Sequence, residues 1–214
     1  MKLDLGMTAT RPRLVTRHLP LLIGSFYLAL LSGCAINPVS GGNDFVLMTE
    51  KQEIAAGAAY HQQILHQYKI YDDPELQAYI ESVGQELAQN SHRSNLRFHF
   101  TVLDSAEVNA FALPGGYIYI TRGILAYLNS EAELAGVLGH EIGHVTARHS
   151  VLQQSASRVT NLLSGILDVA TGQTANNGSF SQFGFALTQG YGRDHELEAD
   201  RLAAEYLARI GYSP

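Results

Sequence analysis

The 214-residue chain has one cysteine, no tryptophan and only six prolines. A lone cysteine, Cys34, excludes an internal disulfide and every cysteine-rich zinc module. Charged residues are also sparse, at 16%, against 46% hydrophobic, a balance that belongs to a folded domain rather than a disordered chain. Basic residues are the minority sign, with 14 Lys+Arg against 20 Asp+Glu and a net charge of −6. Phosphate contacts need a cationic surface, so no nucleic-acid partner is expected. No apolar run reaches the roughly 20 residues that span a bilayer.

The amino terminus has an address-like pattern. Lys2, Arg11, Arg13, Arg17 and His18 precede an apolar stretch over residues 19–31, which ends in Leu31-Ser32-Gly33-Cys34. A basic segment followed by a short apolar one has signal-peptide form. Its end resembles the lipobox of bacterial lipoproteins, in which the cysteine is lipidated and becomes the first residue. The alternative is a transmembrane anchor with an incidental cysteine. On the lipobox reading, residues 1–33 are a lipoprotein signal peptide, Cys34 is the lipidation site and membrane anchor, and Ala35 directs the protein to the outer membrane, facing the periplasm. Residues 34–45 read as a tether, and residues 46–214 as one domain. Loss of residues 1–33 leaves ten Lys+Arg against nineteen Asp+Glu, or −9.

The body of the chain reads as helices, then strands, then helices, which indicates an α+β fold. Thr49 and Gln52 form a capping box, followed by Ile54, Ala58, His61 and Leu65 at helical spacing. Asp73 and Pro74 open a second helix with the apolar stripe Leu76, Ile80, Val83 and Leu87. Phe98, Phe100 and Val102 alternate with polar residues as in a strand, and residues 109–113 and 117–121 read as two more around a Pro114-Gly115-Gly116 turn. Ser130 and Glu133 then cap a helix predicted to run to about His149. Three glycines, Gly136, Gly139 and Gly143, each cost that helix roughly 1 kcal/mol against alanine. A buried helix closely approached by its neighbours accounts for them.

That helix carries His140-Glu141-Ile142-Gly143-His144. Histidines at i and i+4 project from one face and can hold one metal ion, with Glu141 beside it as a proton carrier. On a continuous helix His149 lies about 140° off that face and is a poor ligand. Residues 194–209 form an amphipathic helix that Gly211 can end. Glu198, Arg201, Glu205 and Arg209 make its solvated face, so Glu198 reads as a surface ion pair. Glu196 and Asp200 lie off that stripe, in line with Ala203 and Leu207, where two carboxylates need a cation. Glu196 is accordingly the third ligand, and Asp200 the group that orients a ligand histidine.

Three stretches, residues 131–149 (EAELAGVLGHEIGHVTARH), 109–116 (NAFALPGG) and 193–200 (RDHELEAD), resemble the HtpX and CAAX-prenyl-protease type of zinc metallopeptidase, in its periplasmic lipoprotein branch. The resemblance implies a zincin-like (gluzincin) fold, mainly helical with a small sheet beside the HExxH helix. It implies one zinc ion per chain on His140, His144 and Glu196, with Glu141 as catalytic base. It also implies that Asn109, Ala110 and Phe111 edge the cleft and bind substrate, although Asn109 alone reads equally as a turn residue. The implied activity is an endopeptidase acting on misfolded or misassembled envelope proteins, in contact with the outer-membrane assembly machinery. The alternative is an assembly or holding factor that rarely cuts. Tyr191, Arg193 and His195 are further candidates for steadying the oxyanion or orienting Asp200. Residues 172–181 have loop composition and suit a mobile rim. Family members often continue past the position of Gly211, so the chain reads as a truncated or a minimal form. Residues 151–170 are too polar to span a membrane.

Overall fold

The structure is a computed structural model that describes residues 34–171 and 190–212. The signal peptide expected over residues 1–33, the rim loop expected over 172–181 and the final two residues lie outside them. Two short strands, β1 (Cys34–Ile36) and β2 (Asn43–Phe45), precede helices α1 (Glu50–Gln67) and α2 (Pro74–Gln89). Strands β3 (His99–Leu103), β4 (Ala110–Leu113) and β5 (Tyr117–Thr121) follow, then a single turn α3 (Arg122–Leu125). Helices α4 (Glu131–Thr146), α5 (His149–Thr171) and α6 (Arg193–Arg209) complete the domain. No helix among the described residues is long and apolar enough to cross a membrane.

The sheet order is β3-β5-β4, with β5 parallel to β3 and antiparallel to β4. Its alternating side chains face two layers, as the period of two requires. Phe98, Phe100, Val102, Ile118, Ile120 and Ala112 join α2, α4 and α6 in the main core. Tyr119, Leu103 and Leu113 turn the other way, onto Ile64 of α1. Among the described residues β4 pairs in this sheet with β5 alone, which leaves its outer edge without a strand partner there.

Of the expected α2 stripe, Ile80, Val83 and Leu87 are buried, with Ile80 and Leu87 fully enclosed, while Leu76 is half-buried against the same core. Asp73 caps its amino end and Pro74 occupies its first turn. The buried face of α1 departs from the predicted one by a residue. Ile54 is 41% exposed, while Glu53, Gly57 and Ile64 are buried. The cause is polar. Glu53 accepts from Arg93 Nη1 at 2.7 Å and Arg148 Nε at 2.9 Å, and the three side chains are sealed from solvent. Gly57 sits where an added Cβ would come within 1.9 Å of the Pro114 carbonyl oxygen. An ion-pair centre and a glycine thus lead a face that hydrophobicity alone assigns to its neighbours.

Residues 34–45, expected as a tether, instead form a hairpin. Asn37 Oδ1 accepts from the Val39 and Ser40 amides, and its Nδ2 donates to Asp44 at 2.7 Å, which closes the turn. Such side-chain bonds let asparagine organise a turn without apolar content. Beyond the hairpin, Val46 and Met48 pack on Val151, and the Leu47 amide donates to Ser155 Oγ at 2.9 Å.

Helix α4 is the buried central helix that its glycines suggested. A Cβ on Gly143 would lie 3.0 Å from the Ala199 carbonyl oxygen, and one on Gly139 would lie 2.9 Å from Leu207, both on α6. Gly136 has no such neighbour within 4 Å.

Two predictions follow from these contacts. Glu53→Ala should lower unfolding free energy by about 3–5 kcal/mol, since it strands two buried guanidiniums. Glu50→Ala, removing an exposed carboxylate 3.8 Å from Arg93, should cost about 1 kcal/mol or less. Urea titration of both variants checks the contrast. Gly143→Ala should destabilise by about 1–3 kcal/mol through overpacking. Gly136→Ala should stabilise by up to about 1 kcal/mol through helix propensity. Equal effects from the two glycine substitutions would remove close approach as the explanation.

Candidate metal centre and active-site cleft

Helices α4 and α6 bring the predicted donors together. His140 Nε2 lies 2.9 Å from His144 Nε2 and 3.4 Å from Glu196 Oε2, and His144 Nε2 lies 3.8 Å from Glu196 Oε1. One ligand atom from each of the three residues falls within 4.8 Å of the others, a possible three-residue metal site. Four-coordinate zinc with bonds of about 2.0–2.1 Å sets its ligand atoms roughly 3.3 Å apart, and the observed spacings straddle that value.

The outward nitrogens are also engaged. His140 Nδ1 lies 2.8 Å from Asp200 Oδ1, as the sequence suggested for an orienting carboxylate. Asp200 and Glu196 do not sit under the apolar side, however. Their side chains are 67% and 41% exposed, at the rim of the α4–α6 contact. His144 Nδ1 lies 2.9 Å from His149 Nδ1, and His149 Nε2 lies 3.2 Å from Glu198 Oε2. The predicted continuous helix to His149 is where the sequence argument departs from the structure. α4 ends at Thr146, and Arg148 adopts φ 58°. For a residue other than glycine this left-handed conformation costs about 1–2 kcal/mol. Its ion pair with Glu53 and its Nη2 bond to the Met48 carbonyl offset that cost. The reversal tucks His149, fully buried, behind His144. Glu198 is therefore more than the surface ion pair expected of it. It faces buried His149 as well as Arg201, which is 3.8 Å away. No spacing rule reveals this, because the signal is an unusual backbone angle at an arginine.

Of the remaining candidates, Tyr191 stacks on His144 with ring centres 4.1 Å apart, and its hydroxyl is 2.6 Å from Ser150 Oγ. His195 stacks on His149 at 4.3 Å. Arg193 is exposed. A cleft of about 240 Å³ opens over the donors, lined by Glu141, Tyr191, Ser150, Gln154 and the β4 residues Ala110, Phe111 and Ala112, with Asn109 at its edge. The Gln154 side-chain amide nitrogen is buried without a hydrogen-bond partner among the described residues. A shallower depression of about 400 Å³ continues past His140 and Glu141 to Val108, Ile124 and Val137.

Electrostatics follow from burial. Burial, with the Glu196 charge adding to it, pushes the Glu141 carboxyl up to about 8. Burial and the neighbouring imidazoles hold His144 far below the ordinary histidine range, so it stays in the neutral form that binds metal. Burial likewise lowers His149, His61 and His99. Burial also raises Tyr191 to about 12, so its hydroxyl keeps its proton.

These directions predict a stability maximum for the metal-free protein. Unfolded imidazoles take protons below about pH 6.5. The four folded histidines resist protonation, so stability falls as pH drops below that value. Glu141 has the opposite sign. Its folded carboxyl holds a proton up to about pH 8 that the unfolded chain releases near the ordinary glutamate value, so stability also falls as pH rises toward 8. Urea midpoints should therefore peak near pH 6.5, and Glu141→Gln should remove only the alkaline decline. A profile unchanged by that substitution would contradict the burial argument.

Comparison with known proteins gives this geometry a context. The profile described as peptidase family M48 matches residues 74–214. The chain is 31% identical to the beta-barrel assembly-enhancing protease of Yersinia pestis, over 91% of this chain and 42% of that protein. It is 31% identical to the protein of the same name from Escherichia coli K12, over 76% of this chain and 35% of that one. It is 32% identical to the mitochondrial metalloendopeptidase OMA1 of Arabidopsis thaliana, over 68% and 30% of the two chains. The chain thus spans less than half the length of each of these three relatives.

Proposed function

The chain belongs to peptidase family M48, and from that premise we propose that it is a zinc endopeptidase cutting extended segments of unfolded proteins. One observation carries this reading. The donor atoms of His140, His144 and Glu196 converge in the same cleft as the buried Glu141 and the outer edge of β4. Two imidazole nitrogens and a carboxylate oxygen are the donor set of a catalytic zinc site, which leaves a fourth position open. When bound, zinc polarises the scissile carbonyl and makes water a stronger acid.

The chain's own groups do the rest. A substrate strand pairs through its backbone with the β4 edge at Asn109, Ala110 and Phe111, which lays its amide across the cleft. Glu141 takes a proton from the attacking water as the new C–O bond forms. It delivers that proton to the amide nitrogen as the C–N bond breaks, leaving an amine and a carboxylic acid whose remaining proton passes to solvent. In the metal-free chain burial raises this carboxyl, and the positive charge of a bound zinc would act the other way and leave it ionised to accept that proton. Asp200 holds His140 at its outer nitrogen.

The cellular setting belongs to the same reading. The basic and apolar amino terminus and its Leu31-Ser32-Gly33-Cys34 ending support a lipoprotein signal peptide, with a lipid on Cys34. They support an outer-membrane lipoprotein facing the periplasm of a bacterial envelope. The names of the bacterial relatives support substrates among misassembled outer-membrane proteins and contact with their assembly machinery. The words assembly-enhancing in those names also suggest a second reading, a factor that aids assembly by binding, although the same names say protease.

Unfolded casein decides between the two. The wild-type protein should cleave it, chelator should abolish cleavage, and Glu141→Gln should reduce it by at least about 100-fold with bound zinc unchanged. If wild type and variant are equally inert while both hold stoichiometric zinc, the binding-factor reading replaces the protease.

A further inference from the structure

The two candidate ligand histidines are supported in different ways. His140 rests its outer nitrogen directly on a carboxylate, Asp200, at 2.8 Å. His144 meets a second imidazole instead, with its Nδ1 2.9 Å from His149 Nδ1. His144 turns Nε2 toward His140 and Glu196, where a metal would need its lone pair. With a metal on Nε2, its one proton would sit on Nδ1 and be donated to His149. The acceptor role of His149 Nδ1 then places that ring's proton on Nε2, which faces Glu198 Oε2 at 3.2 Å. Each donor in this chain finds one acceptor, and the chain ends on a carboxylate.

Packing fixes the arrangement. His149 is wholly buried and stacks on His195 at 4.3 Å with the planes 19° apart. Glu198, about 30% exposed, is anchored from the solvent side by Arg201. We propose that His149 and Glu198 are positioning residues that fix the tautomer and aim of His144, so that α6 backs both ligand histidines, His140 directly and His144 through one intervening imidazole. A ligand histidine whose other nitrogen is held this way binds metal more tightly, and loss of such a partner typically costs 10–100-fold in affinity. The proposal rests on the zinc reading of the preceding subsection.

The test measures zinc dissociation constants of the full chain by competition with a chromophoric chelator, together with urea stability of the metal-free form. His149→Phe keeps a planar ring but removes the acceptor, and should weaken zinc about 10–100-fold. His149→Asn restores an acceptor near the Nδ1 position and should bind within threefold of wild type. Glu198→Ala should weaken zinc severalfold, whereas Glu205→Ala, on the same solvated face but remote from His149, should not. The visible spectrum of the cobalt-substituted protein should shift in His149→Phe and return in His149→Asn. A purely structural role would lower metal-free stability in His149→Phe and leave the affinity of the folded protein unchanged, which would overturn the proposal. If His149→Phe does not fold, Glu198→Ala decides alone, and wild-type affinity there overturns it. His140→Ala and Glu196→Gln separate the two levels. If they also bind zinc as wild type does, the metal site itself is wrong, and not merely its support.

Discussion

A single carboxylate, Glu53, ties together segments that would otherwise have no reason to meet. Its two oxygens take Arg93, from the loop after α2, and Arg148, from the junction of α4 and α5. Its own backbone belongs to α1. Arg93 also donates to the Val145 carbonyl at the end of α4, and the Gly115 amide in the β4–β5 turn approaches Glu53 at 3.4 Å. Buried charge of this kind is costly unless fully paired, and here the pairing determines where five segments lie. It also holds Arg148 in a backbone conformation that arginine would not otherwise choose. The chain reversal at that residue sets the place of His149, so the ion-pair centre reaches the candidate metal site through one backbone angle.

The second constraint is the glycine contact between α4 and α6. Side chains at Gly139 and Gly143 would hold the helices apart. Their absence lets Glu196 come within 3.4–3.8 Å of the Nε2 atoms of His140 and His144. The sheet contributes the remaining wall. Because β5 lies between β3 and β4, both outer strands are edges, and β4 is the one that lines the cleft. Apolar packing fixes the layers, and the polar contacts decide the alignment of the chemical groups.

Much of this was readable from the residues. His140, Glu141 and His144 declare themselves through their spacing. Glu196 and Asp200 stand out by their alignment with Ala203 and Leu207, and they do lie beside the histidines, but at an exposed rim rather than under the apolar side. The α2 stripe and the period-two strands carry their own signals. What stayed hidden depends on interactions between distant segments. The buried face of α1 is led by Glu53 and Gly57, which no hydrophobic pattern marks. The hairpin of residues 34–45 is organised by Asn37 rather than by apolar content. The partnership of His149 and Glu198 needs a helix break at Arg148, and an arginine in a left-handed conformation gives no local warning. Periodicity reports burial by apolar residues and is silent where charge is buried in pairs.

Helix α6 carries Glu196, Glu198 and Asp200 within five consecutive residues; Glu196 and Asp200 reach across to the histidines of α4, and Glu198 to His149 at the start of α5. With zinc bound there, ligation and helix docking become a single equilibrium. By linkage, whatever free energy the metal gains from α6, the docked helix gains from the metal. A rigid displacement of α6 would move Glu196, Glu198 and Asp200 away from the histidines together, whereas a substitution at one of them acts on a single contact.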